Sequence, residues 1–102
     1  MKYNKLVRDK IPDIIKANKK IPITHIASKE EYWQKLQEKL REEVDEFLED
    51  NNEEELADIL EVIYAICDFK KIDKEKLEIL RKNKADERGG FKDKIILEET
   101  KD

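Results

Sequence analysis

The sequence predicts an all-α fold of four helices. Apolar residues recur at three- and four-residue steps, and residues able to cap helices stand just ahead of those series. Only two Gly and two Pro occur among 102 residues, which suits long helices and counts against a turn-rich all-β fold. Charged residues make up 47% and apolar residues 38%, a balance near that of disordered chains. The periodicity argues for folding, because the charges fill the gaps between regularly placed apolar residues.

The first helix starts at Asp9-Lys10-Ile11-Pro12 and runs to about residue 18. Asp9 is the expected cap, and Pro12 is tolerated in a first turn, where no intrahelical donor is needed. Lys19 to Ala27 contains Pro22 and reads as a connection, locally extended at Ile23-Thr24-His25-Ile26. Ser28 with Glu31 has capping-box spacing and opens a helix over about 29–49. Trp33, Leu36, Leu40, Val44 and Phe47 form its apolar stripe. Asp50-Asn51-Asn52 breaks the chain, and Asn52 with Glu55 repeats the cap spacing ahead of a helix over about 53–70. Its apolar residues run from Phe69 round to Tyr64 and cover well over half the circumference, so a second subunit is expected on the extra face. Asp73 caps a fourth helix over about 74–86, and Gly89-Gly90 ends it.

Residues 1–102 fit one domain with one modest core. The longest apolar run, Val62 to Cys67, is far short of a membrane span, and Met1 to Arg8 lacks the apolar core of a signal peptide. A single Cys excludes an internal disulfide and fits a reducing cytoplasm. The net charge of −4 argues against a nucleic-acid polymer as partner. It leaves nucleotides open, since a metal can hold an anionic substrate.

The chemistry lies in Glu42-Glu43-Val44-Asp45-Glu46 and Glu55-Leu56-Ala57-Asp58. Glu43 and Glu46 share one face of the second helix, and Glu55 and Asp58 one face of the third. An antiparallel hairpin folded at Asp50-Asn51 sets Glu46 level with Glu55, and Glu43 level with Asp58. Glu55 falls within the apolar arc, and Glu43 lies at the edge of the Leu36-Leu40-Phe47 stripe. Four inward carboxylates repel one another and resist desolvation, so something positive belongs among them. A hard divalent cation such as Mg2+ fits oxygen ligands and keeps waters for a phosphate to displace. The competing account is a solvated acidic face paired with Lys39 and Arg41, with Glu55 completing the Asn52 cap.

The EExxE element followed by ExxD on the next helix resembles the MazG-type all-α nucleotide pyrophosphohydrolases. Tyr3-Asn4-Lys5-Leu6-Val7-Arg8-Asp9-Lys10-Ile11-Pro12 and Lys84-Ala85-Asp86-Glu87-Arg88-Gly89-Gly90-Phe91 resemble the two ends of their small phosphoribosyl-ATP-pyrophosphohydrolase-like branch. The resemblance implies a four-helix MazG-like bundle completed by oligomerisation. It implies a metal set of Glu43, Glu46, Glu55 and Asp58 holding Mg2+, or Mn2+ in its place. Glu42 matches the first acid of the motif but points away from the stripe and stays outside that set. Only eight residues separate Glu46 from Glu55, a shorter loop than many members have.

Arg8 and Lys10 precede a helix N-terminus, where anions are favoured, and are the first phosphate-binding candidates. Lys84 and Arg88 are the second pair. Phe91 offers the tail an apolar anchor and the glycines permit a reversal, which would turn both cations toward the acids. Each cation also has a plainer role, in solubility or at a helix end. His25 is incidental, Cys67 belongs to the core, Trp33 fits the stripe and Tyr32 is free to reach a base. The expected function is Mg2+-dependent cleavage of a nucleotide between its α and β phosphates by a homo-oligomer. The alternative is a non-catalytic helical dimeric interaction module.

Overall fold

The structure is a computed structural model and describes residues 3–102; Met1 and Lys2, at the head of the stretch read for a signal peptide, lie outside the described residues. It contains four helices and, among the described residues, no strand: α1 (Ile11–Ala17), α2 (Lys29–Asp50), α3 (Glu53–Lys70) and α4 (Lys74–Arg88). The predicted all-α class and all four helices are present.

Local chemistry explains the ends. Ser28 Oγ accepts from Glu31 N at 3.2 Å, Asn52 Oδ1 from Glu55 N at 3.0 Å and Asp73 Oδ1 from Glu75 N at 2.8 Å. Each side chain satisfies a first-turn amide with no intrahelical partner. Asn51 ends α2 in the left-handed region at φ 55°, which Asn tolerates better than most residues. Lys71 does the same after α3, and the Ile72 amide bonds back to the Cys67 carbonyl at 2.8 Å. The first cap is a correction. Lys10, not Asp9, stands at the α1 N-cap and provides no side-chain cap. The turn starts one residue late because the Ile11 amide is taken by the Arg8 carbonyl at 3.0 Å. α4 runs on to Arg88, the Gly89 amide bonding to the Ala85 carbonyl at 2.8 Å.

Only α2 and α3 pack extensively against each other, as an antiparallel hairpin joined by Asn51-Asn52. Leu36, fully buried, and Val62 and Cys67 are its buried apolar residues. At the open end Trp33 stacks on Phe69, with centroids 5.2 Å apart and planes 7° apart. Tyr32, expected free to meet a base, instead meets the same ring edge-on at 5.6 Å. These contacts and the acids near the turn share the register predicted from the Asp50-Asn51 break.

The single chain is open. Its radius of gyration is 18.3 Å, against about 13 Å for a compact domain of this length. Its accessible surface is 9927 Å², where a compact 12.2 kDa monomer exposes about 6,000 Å². Leu56, Leu60 and Tyr64, spaced four apart on α3, are each almost half exposed, and Ile79 and Leu80 of α4 more so. No helix among the described residues is long and apolar enough to cross a membrane.

Candidate metal centre

The hairpin brings Glu43 of α2 together with Glu55 and Asp58 of α3. One carboxylate oxygen from each lies within 4.8 Å of the others. Two oxygens on one Mg2+ sit at most about 4.2 Å apart, and on the larger Ca2+ about 5 Å. Drawing the three oxygens closer would let them share one hard cation. Glu46, the fourth predicted ligand, borders the Glu43 and Glu55 carboxyls within hydrogen-bonding reach but lies outside that set of three.

Burial separates these acids from a solvated face. Glu43 is 6% exposed, and Oε2 of Glu43 and Oε2 of Glu55 are buried with no hydrogen-bond partner among the described residues. For the buried Glu43, an unpaired carboxylate oxygen costs about 1–3 kcal/mol. Burial pushes the Glu43 carboxyl above the ordinary carboxylate range; Lys39 opposes the shift and Glu46 adds to it. Burial also raises Glu55, and the charges of Asp58, Asp50 and Glu43 add to it, while the nearby Glu46 carboxyl opposes it. Both carboxyls therefore ionise less readily than an exposed one, and a cation joining them would favour their charged form. Glu55 does not complete a capping box: its amide serves the cap while its carboxylate turns to α2.

Glu42 points elsewhere, as predicted. Lys5 and Lys39 pair with it at 3.1 and 3.5 Å. Burial works against its charge, but those two cations prevail and hold it below the ordinary range.

Among the predicted phosphate ligands, Arg8 reaches the site: its Nη2 donates to Asp58 Oδ1 at 2.7 Å. Lys10 is exposed at the α1 N-cap. Lys84 and Arg88 lie exposed on the last turns of α4, which does not pack extensively on the hairpin. Phe91 is 98% exposed, so the expected fold-back of the tail is absent from the single chain. Ile95, Ile96 and Leu97 stay exposed like Phe91, so the reversal buries no apolar surface within one protomer. His25 pairs with Glu31 at 2.9 Å near the start of α2, away from the acids.

Lys39, expected as a pairing neighbour on a solvated face, is instead drawn inward. Its Nζ lies 3.2 Å from Glu43 Oε1, and its side chain is mostly buried. The available signal was the i, i+4 spacing to an inward glutamate.

No protein-family model matches the chain, and no solved structure matches it. An uncharacterized protein of Mycolicibacterium smegmatis is 49% identical over 41 residues, covering 40% of this chain and 42% of that protein. The chain thus spans less than half the length of this relative.

Proposed function

We propose that this protein is a Mg2+-dependent nucleotide pyrophosphohydrolase. It adds water across the bond between the α and β phosphates of a nucleoside triphosphate or related nucleotide, giving a monophosphate and pyrophosphate. The observation that carries this reading is the buried Glu43 carboxylate, which groups with Glu55 and Asp58 and whose Oε2 has no hydrogen-bond partner among the described residues. Oxygen donors alone, two of them raised in pKa first by burial, suit Mg2+ or Mn2+.

Glu43, Glu55 and Asp58 would hold the cation, which when bound would supply neutralisation of phosphate charge and a more acidic water. Glu46, beside those three, is the acid we assign to receive the water's proton. Arg8 and Lys10 at one end of the chain contact the departing phosphates, and Lys84 and Arg88 do so in an assembled homo-oligomer. The motif resemblance supports the same assignment, and the single buried Cys67 suits a cytoplasmic setting.

A non-catalytic helical interaction module is the second reading, favoured by the half-exposed Leu56-Leu60-Tyr64 face. It gives no reason for orphaned carboxylate oxygens between two helices. Incubation of a nucleotide panel with Mg2+, scored separately for pyrophosphate and orthophosphate, separates the readings. Metal-dependent release of pyrophosphate is expected. Orthophosphate alone, or undiminished activity in excess chelator, removes the enzyme assignment.

A further inference from the structure

The segment ahead of α1 lies across the hairpin as a strap. Lys35 Nζ donates to the Asn4 carbonyl at 2.8 Å, Lys5 pairs with Glu42 at 3.1 Å, and Arg8 pairs with Asp58 at 2.7 Å. Three successive anchors lead along the strap to the candidate metal centre. The last falls on one of its three ligands.

We propose that Arg8 alternates between Asp58 and a substrate phosphate, so that loading the cation releases Arg8 for phosphate capture. The inference rests on the metal reading above and goes beyond it. Asp58 is acceptor to a guanidinium and is also a ligand in the three-carboxylate set. A divalent cation drawing on Asp58 weakens the ion pair, because the same negative charge serves both. The pair is built to yield. Arg8 engages through one nitrogen only, and its side chain is 57% exposed. Exposed pairs of this kind shift an equilibrium by less than about fivefold. Once released, the guanidinium keeps its planar fork, which matches two oxygens of one phosphate. The strap's other two anchors, at Asn4 and Lys5, do not involve metal ligands and keep Arg8 close to the site. Lys10, two residues on, shares the charge but not the contact and serves as the control.

The test is Mn2+ titration calorimetry on the full chain, wild type against Arg8→Met and Lys10→Met, with a melting curve for each. Arg8→Met should bind Mn2+ about 2- to 5-fold more tightly than wild type, with Lys10→Met closer to wild type. The second measurement needs no substitution. In the ion pair the Arg8 guanidinium 15N signals should show hindered rotation, and saturating Mg2+ should return them to the pattern of free arginine. Equal Mn2+ affinity in all three proteins, weaker binding by Arg8→Met, or an equal gain in Lys10→Met overturns the alternation while leaving the metal centre standing. Arg8 signals unmoved by saturating Mg2+ do the same. Absence of Mn2+ uptake by every protein removes the metal centre, and the proposal with it.

Discussion

Lys39 Nζ lies 3.2 Å from Glu43 Oε1, one helical turn earlier on α2, and both side chains are largely withdrawn from water. Lys39 thus offsets half of a carboxylate whose other oxygen has no partner. Lys39→Met should destabilise the protein in chelator by about 1–3 kcal/mol, the cost of leaving a buried polar group unpaired. It should also tighten Mg2+ binding, since a competing cation is gone. Urea unfolding with and without Mg2+ reports both effects. Equal stability of wild type and variant in chelator would show that Lys39 is a surface cation.

The acids make the converse case. Glu43→Gln keeps the shape and removes a charge from a crowded site, so in chelator it should match or exceed wild-type stability. A ligand at a hundred times its Kd stabilises the native state by about 2.7 kcal/mol. Wild type should gain on that scale from saturating Mg2+, and Glu43→Gln should gain little. Glu46→Gln and Asp58→Asn should lose activity with the fold intact. Melting curves and pyrophosphate release decide this. Collapse of the fold in all three variants, with Mg2+ affinity retained per folded molecule, would assign the acids a purely structural role.

Glu43 and Glu55 also fix a pH dependence. Both are raised in the folded protein, first by burial. Between the unfolded and folded values the native state keeps protons that the unfolded chain has released. Stability in chelator should therefore fall as pH rises through the folded values, the contribution being complete below the unfolded value of about 4.3. Glu42 and Glu78 shift the opposite way, so their contributions are lost as pH falls. Urea midpoints across mildly acidic to neutral pH, wild type minus Glu43→Gln, isolate the first effect. The difference should decline with rising pH in chelator and recover in Mg2+.

Helix positions were legible because capping is local: Ser28, Asn52 and Asp73 each bond an amide two or three residues on. The level placement of Glu43 and Asp58 was legible because a two-residue turn fixes hairpin register. The Asp9 cap was misread because a single competing bond, from Ile11 N to the Arg8 carbonyl, moved the helix start. Arg8 could be marked as a phosphate candidate, but its contact with Asp58 spans fifty residues of chain and follows no local spacing. The tail depends on whatever covers Phe91, and neither its glycines nor its apolar residues specify that.

The phosphate-binding role proposed for Arg88 requires assembly. Within one chain Arg88 sits exposed at the end of α4, and the exposed Phe91 gives the following turn no anchor. The surface excess over a compact monomer, with Leu56, Leu60 and Tyr64 partly exposed on one face, leaves ample area for a homodimer interface. If a second copy covers that face, its α4 can bring Arg88 to the first copy's acids. Light scattering should then give at least twice 12.2 kDa, and Leu60→Lys should lower the mass toward the monomer. Arg88→Ala should cut kcat/KM by roughly 10- to 1000-fold, about 1.5–4 kcal/mol for a charged contact at a phosphate. Arg88→Lys should recover part of the loss, because an ammonium lacks the planar fork. Mixing separates the two possible geometries. Arg88→Ala and Asp58→Asn proteins, each impaired alone, share no defect. If Arg88 serves the partner's site, every mixed dimer holds one intact site, and equal mixing of subunits should restore roughly a quarter of wild-type activity. If Arg88 serves its own chain, each site carries a defect and mixing restores nothing. Wild-type kcat/KM in Arg88→Ala would leave Arg88 as a helix-end cation worth a few tenths of a kcal/mol, with no part in phosphate binding.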